Sequence, residues 1–201
     1  MERLRVLLLE MGELSEKTVS TAIDAYQMGK SLQEVDRWSN KLRQLDEQVS
    51  ELAIELIARF QPLASDLRYI KAGIEISYGF YRFGRYAHDI TQVLDMFGDL
   101  SRCDHAVIDA AGQKTEEMIR MSIEAFSDRD VDVARKIAQM DDSVDNLYRD
   151  YIRKLLKSKS TDIKCALSSA LVLRYLERIA DHATYIGNSV VYIVTGEEPV
   201  P

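Results

Sequence analysis

Two stretches of this chain repeat one apolar pattern. Ile76, Phe80, Phe83, Ala87, Ile90, Leu94 and Phe97 mark the first. Val172, Leu176, Ile179, Ala183, Ile186, Val190 and Ile193 mark the second, each 96 positions after its counterpart. The steps alternate between four and three, which places each set on one stripe of a long amphipathic helix with a bundle-type period. A 96-residue interval is too long for a solenoid repeat and fits two copies of a small domain.

Around these stripes the pattern predicts six helices. The first runs from about Arg3 to Met28 and stops at Gly29. The second carries Val35, Trp38, Leu42, Leu45, Val49, Leu52 and Leu56 and ends near Gln61-Pro62, where proline cannot continue a helix. The third starts near Ser65, with Ser65 or Asp66 as N-cap, and closes at Gly98. Residues 98–104 break the pattern and divide the chain into halves, 1–98 and 99–201. The fourth helix covers about 104–126 on a weak stripe of Ala111, Met118 and Ala125. Ser127-Asp128 begin the fifth, striped by Val133, Ile137, Met140, Val144, Leu147 and Tyr151. After a polar turn at 157–161 the sixth carries the second stripe to Ile193, and 196–199 read as a frayed tail. The expected class is all-α, with two tandem pseudo-symmetric three-helix bundles. Helices of about 30 residues are roughly 45 Å long.

Composition adds exclusions. The 201 residues are 46% hydrophobic, enough for real cores, and only three are proline. A net charge of −7 lacks the basic surface that nucleic-acid binding needs. No stretch approaches the roughly 20 apolar residues of a membrane span, and Leu7-Leu8-Leu9 is too short an apolar run for a signal peptide. Cys103 and Cys165 show neither CxxC nor zinc spacing, so both are expected as ordinary core thiols in a reducing, cytosolic setting.

Chemistry concentrates late in the chain. Glu177 and Asp181 stand at i, i+4 on helix six, beside the apolar stripe and directed away from the core. Asp141 and Asp145 repeat that spacing on helix five, with Asp142 between them. Two readings stand. The four carboxylates are solvated, with Arg174 and Arg178 relieving their repulsion, or they gather into a ridge of oxygens for a hard cation or iron. In the first half, Tyr81 and Arg85 occupy the places of Glu177 and Asp181, while Asp46 and Ser50 match Asp141 and Asp145. Any metal therefore belongs to the second half.

Other candidates are weaker. His88, His105 and His182 show no HxH, HExxH or Glu-x-x-His spacing. Gly79, Gly84 and Gly187 sit inside helices, where close packing explains them. No glycine-rich phosphate loop and no Ser/His/Asp or Cys/His arrangement occurs. Tyr78, Tyr81, Tyr86, Arg82 and Arg85 form an aromatic–basic strip suited to a protein contact.

Arg174-Tyr175-Leu176-Glu177-Arg178-Ile179-Ala180-Asp181-His182-Ala183 resembles the third-helix motif of the PhoU family of phosphate-uptake regulators. Phe60-Gln61-Pro62-Leu63-Ala64-Ser65-Asp66-Leu67-Arg68 resembles that family's turn before the third helix of its first repeat, and 140–147 its second-helix motif. Asp162-Ile163-Lys164 echoes Asp66-Leu67-Arg68 at the 96-residue offset. The resemblance implies two pseudo-symmetric three-helix bundles and a multinuclear metal site, often iron or zinc. Its ligands here would be Asp141, Asp145, Glu177 and Asp181, with Asp142 as a further candidate. It also implies a non-enzymatic, homodimeric negative regulator of high-affinity phosphate import. Such a regulator sits at the inner face of the membrane and contacts the transporter's ATPase subunit and a membrane sensor kinase. The alternatives are a metal-dependent phosphate-ester hydrolase using the acidic ridge, or a PhoU-like regulator of another transporter such as a potassium carrier.

Overall fold

The computed structural model describes residues 1–29, 33–158 and 162–197. Its order is α1 (Glu2–Met28), α2 (Gln33–Phe60), α3 (Ala64–Phe97), α4 (Ala106–Asp128), α5 (Val131–Lys157) and α6 (Ile163–Thr195). All regular structure among the described residues is helical. Most termini obey local chemistry. Gly29 closes α1 in the left-handed region at φ 65°, its amide bonding back to Ala25 and Tyr26 carbonyls. Asp130 and Asp162 cap α5 and α6, each carboxylate accepting two backbone N–H groups of the first turn. Gly98 ends α3 by donating its amide to the Leu94 carbonyl.

Two predicted boundaries move. α3 begins at Ala64 after Leu63, without a side-chain cap, so Ser65 and Asp66 lie inside its first turn. Ser127 and Asp128 end α4 rather than start α5; Arg129 takes the left-handed closing position at φ 56°, and Asp130 caps the next helix. Of the predicted polar turn, Lys157 and Ser158 are described and 159–161 lie outside the described residues, as do 198–199 of the predicted tail.

The two apolar stripes form the spine. From Ile76 to Leu94, and from Val172 to Val190, every stripe residue is buried, while Phe97 and Ile193 at the ends are half-buried. α3 packs along α6; α1 and α2 cover α3, and α4 and α5 cover α6. α1 also touches α4. Among the described residues α2 and α5 do not meet. One face of the α3–α6 pair therefore lies open between them, and Tyr78 and Tyr185 stand on it 48% and 59% exposed.

Close helix approach explains the interior glycines. A Cβ on Gly79 of α3 would lie 2.7 Å from the Ile186 side chain of α6. On Gly187 of α6 it would lie 2.9 Å from the Ala134 carbonyl oxygen of α5. The expectation for the cysteines is corrected. Cys103, in the linker between halves, and Cys165, in the first turn of α6, are both half-buried and joined in a disulfide. The fold brings the linker onto the start of α6, and Lys164 Nζ donates to the Asp99 carbonyl at 2.6 Å in the same place.

Candidate functional site

α5 and α6 bring the four predicted carboxylates into one electrostatic neighbourhood. On α5, Ile137 and Val144 are buried against α6, which sets Asp141 and Asp145 along the margin of that contact. On α6, Glu177 follows Leu176 of the stripe. It was expected to face away from the core, yet it is only 7% exposed. A polar position bordering the stripe is covered by the neighbouring helix, and spacing along α6 alone does not reveal that cover. Asp181 and Asp145 are largely covered, with 25% and 18% of their side-chain surfaces exposed; Asp142 is exposed.

Burial and mutual repulsion raise these acids together. Burial, then the charges of Asp181, Asp145 and Asp142, push the Asp141 carboxyl up to about 6. Burial, then Asp181 and Asp145, push Glu177 up to about 7 against the pull of Arg174 and Arg178. Asp181 is raised by burial and Asp145, with Arg178 and Arg174 opposing. Three arginines reply in kind: Arg149 pairs with Asp145 at 2.6 Å, Arg174 with Glu177 at 2.5 Å and Arg178 with Asp181 at 3.5 Å. Arg149 lies one helical turn after Asp145, a spacing visible in the sequence.

A metal has a partial fit here. Asp141 Oδ1 on α5 and Glu177 Oε2 on α6 are buried acceptors without a hydrogen-bond partner, which a proton, a water or a cation would each relieve. Against that, among the described residues no three potential ligands converge on one point. Asp145, Glu177 and Asp181 are turned toward Arg149, Arg174 and Arg178.

The first half has a different solution. Asp46 on α2 accepts a hydrogen bond from Ser77 Oγ of α3 at 2.7 Å. Arg85, in the place of Asp181, pairs with Asp89 at 3.0 Å on its own helix. The aromatic–basic strip is only partly exposed: Tyr86 is buried, stacks on Tyr175 and accepts a hydrogen bond from Arg82. His182 sits among the rings of Tyr78, Tyr86 and Tyr185 at 5.5–5.9 Å. Burial, then Arg82 and Arg178, push it down to about 4, so it is neutral at pH 7. A cavity of about 680 Å³ opens beside it between α2, α3 and α6. Sequence reasoning missed this cavity, since its walls come from three helices and no spacing within one helix marks it.

Two helical trios on a shared α3–α6 spine, with an acid-rich seam on the second trio only, define an all-α bundle whose polar chemistry lies along helix pairs. The PhoU domain model matches residues 8–94 and 108–190. A *Pseudomonas putida* protein named phosphate-specific transport system accessory protein PhoU homolog is 32% identical over 98% of this chain and 80% of its own length. A *Clostridium acetobutylicum* protein of the same name is 30% identical over 98% of this chain and 94% of its own. The crystal structure of PhoU from *Pseudomonas aeruginosa* superposes with a TM-score of 0.89 at 30% identity, covering 98% of this chain and 97% of that one. That of the PhoU regulatory protein from *Streptococcus pneumoniae*, at 22% identity and a TM-score of 0.87, shares the fold. The chain belongs to the PhoU family. Among its described residues no helix is long and apolar enough to cross a membrane.

Proposed function

We propose that this protein is a regulatory accessory component of phosphate transport that restrains high-affinity phosphate uptake through protein contacts. The observation that carries the reading is its likeness, over nearly its whole length, to accessory proteins of the phosphate-specific transport system. The open α3–α6 face, with Tyr78 and Tyr185 exposed between the α2 and α5 walls, is the kind of aromatic surface that protein partners use. In this reading residues 1–98 and 99–201 are two repeats of one unit, the protein works as a homodimer at the cytoplasmic face of the membrane, and the transporter's ATPase subunit and a sensor kinase are its partners. Mixing the purified protein with the ATPase subunit of its own phosphate transporter is expected to give a complex by calorimetry. No binding, with or without added iron or zinc, would overturn the reading.

In the same proposal a metal ion, iron or zinc, is held by Asp141, Asp145, Glu177 and Asp181. The two orphaned carboxylate oxygens and the raised carboxyls support it. Bound there, a metal would add positive charge to a seam in which Arg149, Arg174 and Arg178 already pair with Asp145, Glu177 and Asp181, and would tie α5 to α6. The chain's own part is to hold Asp141 and Glu177 in a covered seam where their charge is costly without a cation.

One observation favours a second reading. A carboxyl at about 7 beside other acids is poised as a general base, as in a metal-dependent phosphate-ester hydrolase. That reading requires turnover of p-nitrophenyl phosphate with Mn²⁺ or iron, lost in Glu177→Ala. Absence of turnover removes it.

A further inference from the structure

We propose that the Cys103–Cys165 bond is a reversible redox clasp, which thiols of the glutathione class open to release the linker between the halves from α6 while both halves stay folded. The proposal rests on the cytoplasmic placement in the reading above, since disulfides in reducing compartments are mostly transient and redox-sensing. The bond uses both cysteines of the chain and ties the linker to the first turn of α6. Each cysteine is half-buried, and Arg102 and Asp104 on either side of Cys103 are exposed. The linker cysteine therefore lies at the surface, within reach of a small thiol.

Noncovalent contacts hold the first part of the linker without the bond. Leu100 is only 1% exposed and packs into the core. Lys164 Nζ donates to the Asp99 carbonyl at 2.6 Å. These contacts survive reduction, so the two thiols stay near each other and the bond can form again. The bond itself fixes the residues that follow. The Cys103 amide donates to the Leu100 carbonyl at 2.9 Å, and His105 Nε2 lies 3.2 Å from that same oxygen. Asp104 Oδ1 accepts from the amide of Ala106, the first residue of α4, at 3.0 Å. Opening the clasp frees Cys103 and, through Asp104 and His105, loosens the start of α4.

The chemistry is thiol–disulfide exchange. A glutathione thiolate attacks Cys103 Sγ, the bond to Cys165 Sγ breaks, and Cys165 leaves as a thiolate that takes up a proton. The mixed disulfide on Cys103 is then attacked at its glutathione sulfur by a second thiolate. Cys103 leaves and is protonated in turn. Two glutathione thiols become one glutathione disulfide, and the protein gains their two electrons and two protons. Glutathione disulfide drives the same steps backward and closes the clasp.

The test equilibrates the full chain without oxygen in reduced and oxidised glutathione, scanning their ratio across the cytosolic range. Free thiols are trapped with a maleimide mass tag, helix content is followed by circular dichroism, and amide exchange is read by NMR. One two-electron transition inside that range is expected, reversed when the ratio is reversed, with helix content unchanged. In the reduced form the Cys103 and Ala106 amides are expected to exchange faster by on the order of tenfold, and the Gly98 amide at its original rate. Cys103→Ser with Cys165→Ser is expected to show the reduced-form rates at every ratio. A bond that stays closed throughout, that opens only with loss of helix, or whose opening leaves the Cys103 and Ala106 rates unchanged would overturn the clasp. So would rates that follow the glutathione ratio in the double variant. Binding of the transporter ATPase subunit is measured in the same samples. If it binds while the bond never opens, the clasp falls and the regulatory reading stands. If it binds neither form while the transition appears as expected, the clasp stands and the regulatory reading falls.

Discussion

The two halves share a frame and differ where helix meets helix. α2 on α3 and α5 on α6 are built on the same stripe, yet the polar margins diverge. The second half holds four acids and three paired arginines in a covered seam. The first half keeps one acid, Asp46, bonded to a serine, and puts Tyr81 and Arg85 where the second has Glu177 and Asp181. Packing fixes the buried stripe in both copies, because changing a core volume costs stability directly. The flanking positions carry no such constraint, so one frame supports two electrostatic outcomes: a crowded acid seam on one side, and on the other a tyrosine-lined hollow with Asp46, Glu75 and Lys71 in its walls.

The ends of the spine helices differ as well, and there the largest effect is expected. Cys165 near the start of α6 is bound to Cys103, whereas its counterpart Tyr69 on α3 stacks noncovalently on Phe126 at 6.2 Å. The disulfide spans 62 residues, including α4 and α5. Chain-entropy arguments put such a link at about 4 kcal/mol. Cys103→Ser with Cys165→Ser is expected to lower Tm by on the order of 10 °C in scanning calorimetry. An unchanged Tm would show that packing alone fixes the linker.

A smaller effect separates two glycines. Alanine at Gly187 meets the Ala134 carbonyl oxygen at 2.9 Å, and backbone cannot turn aside. Alanine at Gly84 meets the Leu42 Cδ1 tip, which can rotate away. Alanine gains about 1 kcal/mol of helix propensity at either position. Gly187→Ala is therefore expected to destabilise by about 1–2 kcal/mol net of that gain, and Gly84→Ala to stay near neutral. Urea titrations that reverse this order would contradict the packing account.

The smallest effect is a pH dependence for which Glu177 and Asp141 of the second half carry the largest shifts. Glu177 and Asp141 have native carboxyls above their usual values, at about 7 and about 6. The folded state then binds protons more tightly than the unfolded one, so these groups impose no penalty at low pH. Their destabilisation grows as pH rises from the ordinary carboxylate range through those native values. In metal-stripped protein, Glu177→Gln is expected to gain in Tm relative to wild type between pH 5 and pH 8. Tyr81→Phe, at the matching place in the first half, should show a flat difference. A flat difference for Glu177→Gln would mean that Arg174 already compensates the charge.

Much of this was legible in the chain. The alternating steps of four and three placed both spine helices, since only one helical face can hold such a stripe. Gly29, Pro62 and Gly98 marked stops because glycine adopts the left-handed turn and proline lacks an N–H. The α4–α5 boundary was misread because Arg129, not a glycine, takes the left-handed position there, and Ser127-Asp128 imitate a cap. The disulfide was invisible: two cysteines far apart in sequence meet only once the linker has packed against α6. The four acids were legible as residues, but their burial was not. Whether Glu177 is solvated depends on α5 lying over it, and spacing along α6 carries no information about its neighbour. The cavity likewise needs three helices assembled.

The account turns on the two halves having parted chemically, with metal binding proposed for the second alone. Elemental analysis of the purified protein tests this most directly, comparing wild type, Glu177→Gln with Asp181→Asn, and Asp46→Asn. Iron or zinc well above trace is expected in wild type and in Asp46→Asn, and its loss in the double variant. A folded wild type free of metal, or a double variant that retains it, would contradict the account.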